Sequence, residues 1–165
     1  IRDSYYAFGA ALSEVHVDVR TGEYHVEQVD ILHDVGNSLN EAVDRGQIEG
    51  GFIQGMGWLT TEELLWNDAG RLMSASPSTY KIPTAHDLPK IFNVSLFERA
   101  NEAPTIYRSK AVGEPPLMLA ISVWCALKDA CASVCQYKVS PDLAVPATPE
   151  QVCWAMERAR EFVDE

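Results

Sequence analysis

Positive charge is the first shortage. The 165-residue sequence has 13 Lys plus Arg against 24 Asp plus Glu, a formal net charge of −11. No basic stripe runs through it, which removes nucleic acid and anionic lipid as expected partners. Cysteine is scarce too. Cys125, Cys131, Cys135 and Cys153 form no CxxC pair and have no histidine nearby at zinc-ligand spacing. Cys131 and Cys135 are four apart in an apolar helical stretch and share a face, a spacing that implies no bridge by itself. All four are expected to be small buried side chains in a reducing cytoplasm. A long apolar run is missing as well. The longest, residues 117–127, falls short of the roughly 20 residues of a membrane span. No charged segment precedes an apolar one at the start, so no signal peptide is visible. The first residue is Ile, and the expectation is a piece of something longer, with a processed or tag-cleaved domain as the alternative. There is no P-loop ending, no GxGxxG and no recognisable Ser-His-Asp context. His16, His25, His33 and His86 are scattered and make no ligand set.

What is present is an ordinary globular composition, 47% hydrophobic and 22% charged, enough for one domain over residues 1–165. Tyr6, Phe8, Ala10 and Leu12 alternate on even positions, then Val15, Val17 and Val19 on odd ones. That pattern predicts a strand with a bulge or bend near Ser13 and Glu14. Gly22 sits in a turn, and residues 24–33 form the return strand of a hairpin. A helix is expected from about Leu39, capped by Ser38 or Asn37. A second hairpin is predicted over residues 64–73, an irregular proline-rich stretch over 75–90, and a strand over 91–97. Residues 105–107 read as short and extended. Residues 117–137 read as a buried helix with Pro116 in its first turn. A last helix starts after Thr148 and runs through Phe162. The fold class is α+β: hairpins packed with a glycine-rich helix and a buried helix.

Two places carry possible chemistry. Glu114 directly precedes Pro115 and Pro116, which biases its backbone to extended values and stiffens the segment. A carboxylate presented this way at a helix mouth suits a general base. It equally suits an ordinary N-terminal helix carboxylate, and spacing does not choose between them. The other place is the helix around residue 50. Gly46, Gly50, Gly51, Gly55 and Gly57 are half of the ten glycines. Glycine costs a helix about 1 kcal/mol relative to alanine. Their density calls for a close approach to the backbone or for dense packing. Gln47 and Gln54 are amides on or near this helix.

Four blocks resemble the molybdenum hydroxylase family, in that family's order: residues 34–40 (DVGNSLN), 46–55 (GQIEGGFIQG), 77–83 (PSTYKIP) and 110–117 (KAVGEPPL). Within the family the likeness is to the xanthine dehydrogenases, at the C-terminal part of their large molybdenum-binding subunit. The resemblance implies that Glu114 is the catalytic base, that Gln47 contacts a molybdenum-pterin cofactor, and that Gly113 lines the site with its backbone. It implies oxidation of hypoxanthine or xanthine to urate, with water as oxygen source and NAD as electron acceptor. Iron–sulfur clusters and FAD are expected elsewhere in the complex. The remainder of the large subunit and iron–sulfur/flavin domains are the implied partners, in a cytoplasmic oligomer. An aldehyde oxidoreductase of the same superfamily and a non-catalytic scaffold are the rival readings.

Overall fold

The computed structural model describes residues 5–162. Strands β1 (Gly9–Val17) and β2 (Tyr24–His33) form the expected antiparallel hairpin. Val15 faces Val26, but the next residue, Glu14, faces Gln28. The ladder skips Glu27, so the phase change in the β1 sequence is a bulge whose extra residue lies on β2. Gly22 has φ 75° in the turn. A side chain there would strike the backbone of Pro149 and Cys153, so the turn is seated on the last helix.

Helix α1 (Glu41–Thr60) follows. Its cap is Asn40, whose side chain accepts a hydrogen bond from the Val43 amide at 3.3 Å. Neither expected residue serves: the Ser38 hydroxyl donates to Asp44 and the Asn37 side-chain amide donates to the Tyr107 carbonyl. Strand β3 (Ile91–Leu96) lies parallel to β2, giving the order β1-β2-β3. A parallel pair needs a long crossover, which α1 and the irregular segment after it provide. The core joins Val29 and Ile31 of the sheet to Ile48, Phe52 and Met56 of α1. Phe52 meets Phe92 with ring centroids 5.5 Å apart. The α+β class holds.

Several expectations need correction. The second hairpin reduces to one bridge, Trp66 with Leu72. Its turn forms, with Gly70 at φ 73° and the Asn67 side chain accepting from the Ala69 and Arg71 amides. Leu64, Leu65, Trp66 and Met73 are all exposed, so no packed face sustains a longer ladder. Ile106–Arg108 is a 3₁₀ turn, not an extended stretch, and Tyr107 and Arg108 take φ of 50° and 60°.

The helix expected over 117–137 is composite. Pro115–Ala120 is 3₁₀, and α2 spans Ile121–Ser133. The chain leaves the helix before Gln136 and Tyr137, whose φ values are 55° and 60°. Taken together, Pro115–Ser133 has 19 residues and a mean hydropathy of 1.3, long and apolar enough to cross a membrane. The run of residues 117–127 lies within this longer stretch. The stretch nevertheless serves as the core helix of this fold. It packs on β1 and α1 and on α3 (Pro149–Arg160), with Val123, Leu127 and Cys131 fully buried. Only a third of it is buried, however, so it is not enclosed all round. Met118 and Ile121 are exposed, and Met118 lines a groove of about 870 Å³ between β1 and α2.

The cysteines also divide. Cys131 and Cys135 are buried, Cys153 is half-buried and Cys125 is exposed; all four are free thiols. Burial pushes the Cys131 thiol up to about 11. The Thr148 cap of α3 forms as expected, accepting from the Gln151 amide at 3.4 Å.

Candidate functional site

Residues 107–120 form a strap fixed at two places. The first is at the end of β2. Gly36 bridges to Ser109, and its φ of 64° lets its backbone pass beside the Arg108 carbonyl, where any side chain would collide. The Lys110 amide donates to the Val35 carbonyl at 2.8 Å, and the Asn37 amide donates to the Arg108 carbonyl at 3.0 Å. Buried Asn101 donates to the Thr105 hydroxyl and the Ser109 carbonyl, which supports the left-handed turn before the strap.

A charge pair locks this anchor. The Lys110 ammonium lies 2.5 Å from the Asp34 carboxylate, with side chains 7% and 2% exposed. Lys110 also donates to the Tyr6 carbonyl and lies 5.2 Å from the Phe8 ring centre. Asp34 accepts in addition from the Gly36 amide at 2.9 Å. The two charges are therefore both paired and further hydrogen-bonded, the condition under which a buried pair is tolerated. His33, beside Asp34, is 2% exposed, and neither ring nitrogen has a partner. Burial pushes its pKa down, Asp34 raises it and Lys110 lowers it. Sequence reasoning assigned Asp34, Lys110 and His33 no role. The signal available was an acid in one recognisable block and a base in another.

The second anchor is α1. A side chain at Gly51 would lie 3.2 Å from Pro116 Cβ and 3.5 Å from the Leu117 amide nitrogen. One at Gly55 would overlap the Leu117 carbonyl oxygen, and one at Gly57 would overlap Glu62 and Pro83. Three of the five glycines therefore reflect protein lying against protein. Gly46 and Gly50 are different. Nothing stands within 4 Å of where their side chains would project.

Between the anchors stands Glu114. Its backbone is in the right-handed helical region, φ −104° and ψ −40°, not extended as the following prolines suggested. The reason lies downstream: the Leu117 amide donates to the Glu114 carbonyl at 3.1 Å, and Leu117 is held against the glycine face. This closure outweighs the pre-proline bias. The Glu114 side chain makes no capping hydrogen bond and is exposed. A helix-capping carboxylate would be engaged; this one is not. Gln47 is exposed on α1, and its Oε1 would be 3.4 Å from a side chain placed on Gly113. Of the three residues singled out in the sequence, Gln47 and Gly113 thus meet, and Glu114 is exposed next to Gly113 in the chain. Bare helix backbone at Gly46 and Gly50, beside a free amide and a free carboxylate, fits a flat polar group laid along α1.

A sequence profile described as a molybdopterin cofactor-binding domain matches residues 2–89, just over half of the chain. The chain belongs to the molybdopterin cofactor-binding domain family. Gln47 and the glycines of α1 lie inside the matched stretch of this domain; Gly113 and Glu114 lie beyond it. Over 158 residues the chain is 46% identical to xanthine dehydrogenase 1 of Arabidopsis thaliana, covering 90% of this chain and 12% of that protein. Over 151 residues it is 50% identical to aldehyde oxidase 2 of Macaca fascicularis, covering 90% and 11%. The structure of quinoline 2-oxidoreductase from Pseudomonas putida 86 superposes with a TM-score of 0.76 at 28% identity, over 87% of this chain and 18% of that one. This cofactor-binding chain therefore spans about an eighth of the length of the curated relatives it matches.

Proposed function

We propose that residues 1–165 are a single domain, the C-terminal portion of the molybdenum-binding part of a molybdenum hydroxylase, with Glu114 as its general base. The observation that carries this reading is the approach of Gln47 to Gly113, with the adjacent Glu114 exposed and uncommitted to any cap. A bound molybdenum-pterin cofactor supplies the redox chemistry, accepting two electrons from the substrate carbon while water provides the oxygen. The Gln47 amide hydrogen-bonds the pterin. Gly113, lacking a side chain, leaves room for the group and lines it with backbone. A Glu114 carboxylate oxygen takes the proton from the attacking water-derived oxygen. The two strap anchors fix the backbone that presents this side chain.

The carbon attacked is electron-poor and sp², and the substrate proposed is a purine, hypoxanthine or xanthine, oxidised to urate. Iron–sulfur clusters and FAD, carried elsewhere in the complex, would supply the electron transfer to NAD. The remainder of the large subunit covers the exposed groove between β1 and α2 and supplies the rest of the pocket, in a cytoplasmic oligomer. A second reading, oxidation of an aldehyde, draws on the 50% identity to an aldehyde oxidase. A scaffold without chemistry is the third; a complete enzyme that loads no molybdenum would establish it.

Glu114→Gln in the complete enzyme tests the proposal. Glutamine keeps the size and loses the base, so reduction of the metal by substrate should slow about 10²–10⁴-fold. Molybdenum content and melting temperature, measured on the same preparation, should be unchanged. Rapid mixing with xanthine and with an aromatic aldehyde separates the two substrate readings. Near-normal reduction in a fully loaded variant would sink the assignment of the base.

A further inference from the structure

The turn end of the β1–β2 hairpin, at the opposite end of β2 from Asp34, carries a second cluster. His16 and His25 are direct cross-strand partners, with ring centroids 5.1 Å apart. The skipped residue of the ladder, Glu27, comes to the same outer face. Its Oε2 lies 3.1 Å from His25 Nε2 and 3.9 Å from His16 Nδ1. Glu14, two residues before His16, places Oε1 3.5 Å from His16 Nε2. These histidines were scattered in the sequence; the hairpin register brings two of them together.

We propose that His16, His25 and Glu27 bind one transition-metal dication, of the zinc, nickel or copper class. One ligand atom from each lies within 4.8 Å of the others. Ligand bonds near 2.0–2.2 Å make the edges of a tetrahedral site about 3.3 Å. The His25–Glu27 edge already has that length. The widest edge, at most 4.8 Å, needs to close by no more than about 1.5 Å, within reach of a ring rotation at the exposed His16. Glu14 engages the outer nitrogen of His16, leaving Nδ1 for the metal, as second-sphere carboxylates commonly do for metal-bound imidazoles. Two imidazoles and one carboxylate, without thiolate, select zinc, nickel or copper over calcium and magnesium. Solvent completes the coordination on the open side.

The place of the cation is held by Lys90. Its ammonium lies 2.7 Å from Glu27 Oε2 and 3.5 Å from His25 Nε2. The Lys90 side chain is 62% exposed, and an exposed ion pair contributes little, so a dication displaces it readily. Lys90 is therefore a built-in competitor, and the site is a clasp across the hairpin mouth.

The test is calorimetric titration of zinc chloride into the full chain and into three variants. One zinc per chain is expected. His16→Ala and His25→Ala should each weaken it about 10-fold or more, the scale on which metal-site partners act. Lys90→Ala should tighten it severalfold, a gain that no folding defect would produce. Absence of one-to-one uptake would overturn the proposal. So would uptake that survives both histidine substitutions, which would place the metal on the thiols instead.

Discussion

Gly46 and Gly50, in the first half of α1, meet nothing within 4 Å, whereas Gly51, Gly55 and Gly57 lie against Pro116, Leu117, Glu62 and Pro83. One compositional signal thus has two origins. In the second half of the helix the strap and its neighbours pack so near that only glycine fits. In the first half nothing among the described residues demands glycine, and the helix gives up about 1 kcal/mol at each position. The proposed cofactor, lying over Gly46 and Gly50 beside Gln47, accounts for those two.

The largest expected effect comes from the strap's other anchor, which holds by charge instead of bare backbone. Lys110→Met leaves the Asp34 carboxylate buried beside an unpartnered imidazole. A loss of about 3–5 kcal/mol is expected for a broken buried pair, read from denaturant unfolding. A loss below about 1 kcal/mol would show that the glycine face alone positions the strap. The helix itself is tested by two substitutions in one series. Gly55→Val must push the Leu117 backbone away, and overpacking of this kind costs about 1–3 kcal/mol. Gly50→Ala should act in the opposite direction and stabilise by up to about 1 kcal/mol. In the complete enzyme the same Gly50→Ala change should lower molybdenum content. Equal destabilisation by both substitutions would erase the distinction between the halves of α1.

Local structure was legible where one residue decides it. The return strand expected after the turn matches both bounds of β2, Thr148 announced α3, and Gly22 marked the hairpin turn. The proline pair marked the strap but not its conformation. Leu117 to Ala120 reads the same for a 3₁₀ or an α-helix, and the backbone of Glu114 follows from a hydrogen bond three residues on. Non-local facts were harder. Nothing in residues 91–96 says that they pair parallel to β2 and not with a hairpin partner. The nearness of Gln47 and Gly113 was legible only through family resemblance, since they stand 66 positions apart. The His16–His25 pair was within reach: folding the hairpin about its turn sets them opposite. The spacing of histidines along the chain hides this, because their cross-strand partnership is a property of register.

His33 has a consequence for how the protein meets acid. Both its ring nitrogens are unpartnered, and burial holds its pKa below the ordinary value of 6.5. Asp34, the one nearby anion among those acting on it, is already committed to Lys110. The unfolded chain therefore takes up this proton at higher pH than the folded chain does. As pH falls below about 6.5, folding must oppose that uptake. Stability then drops by at most ~1.4 kcal/mol per pH unit until the folded histidine also titrates. The drop loosens the end of β2, the anchor from which Glu114 is suspended. Denaturant unfolding between pH 7 and pH 5 should show this slope in the parent and a flatter one in His33→Leu; identical slopes would assign the proton elsewhere. A histidine with no hydrogen bond thus makes the strap's charged anchor answer to proton concentration.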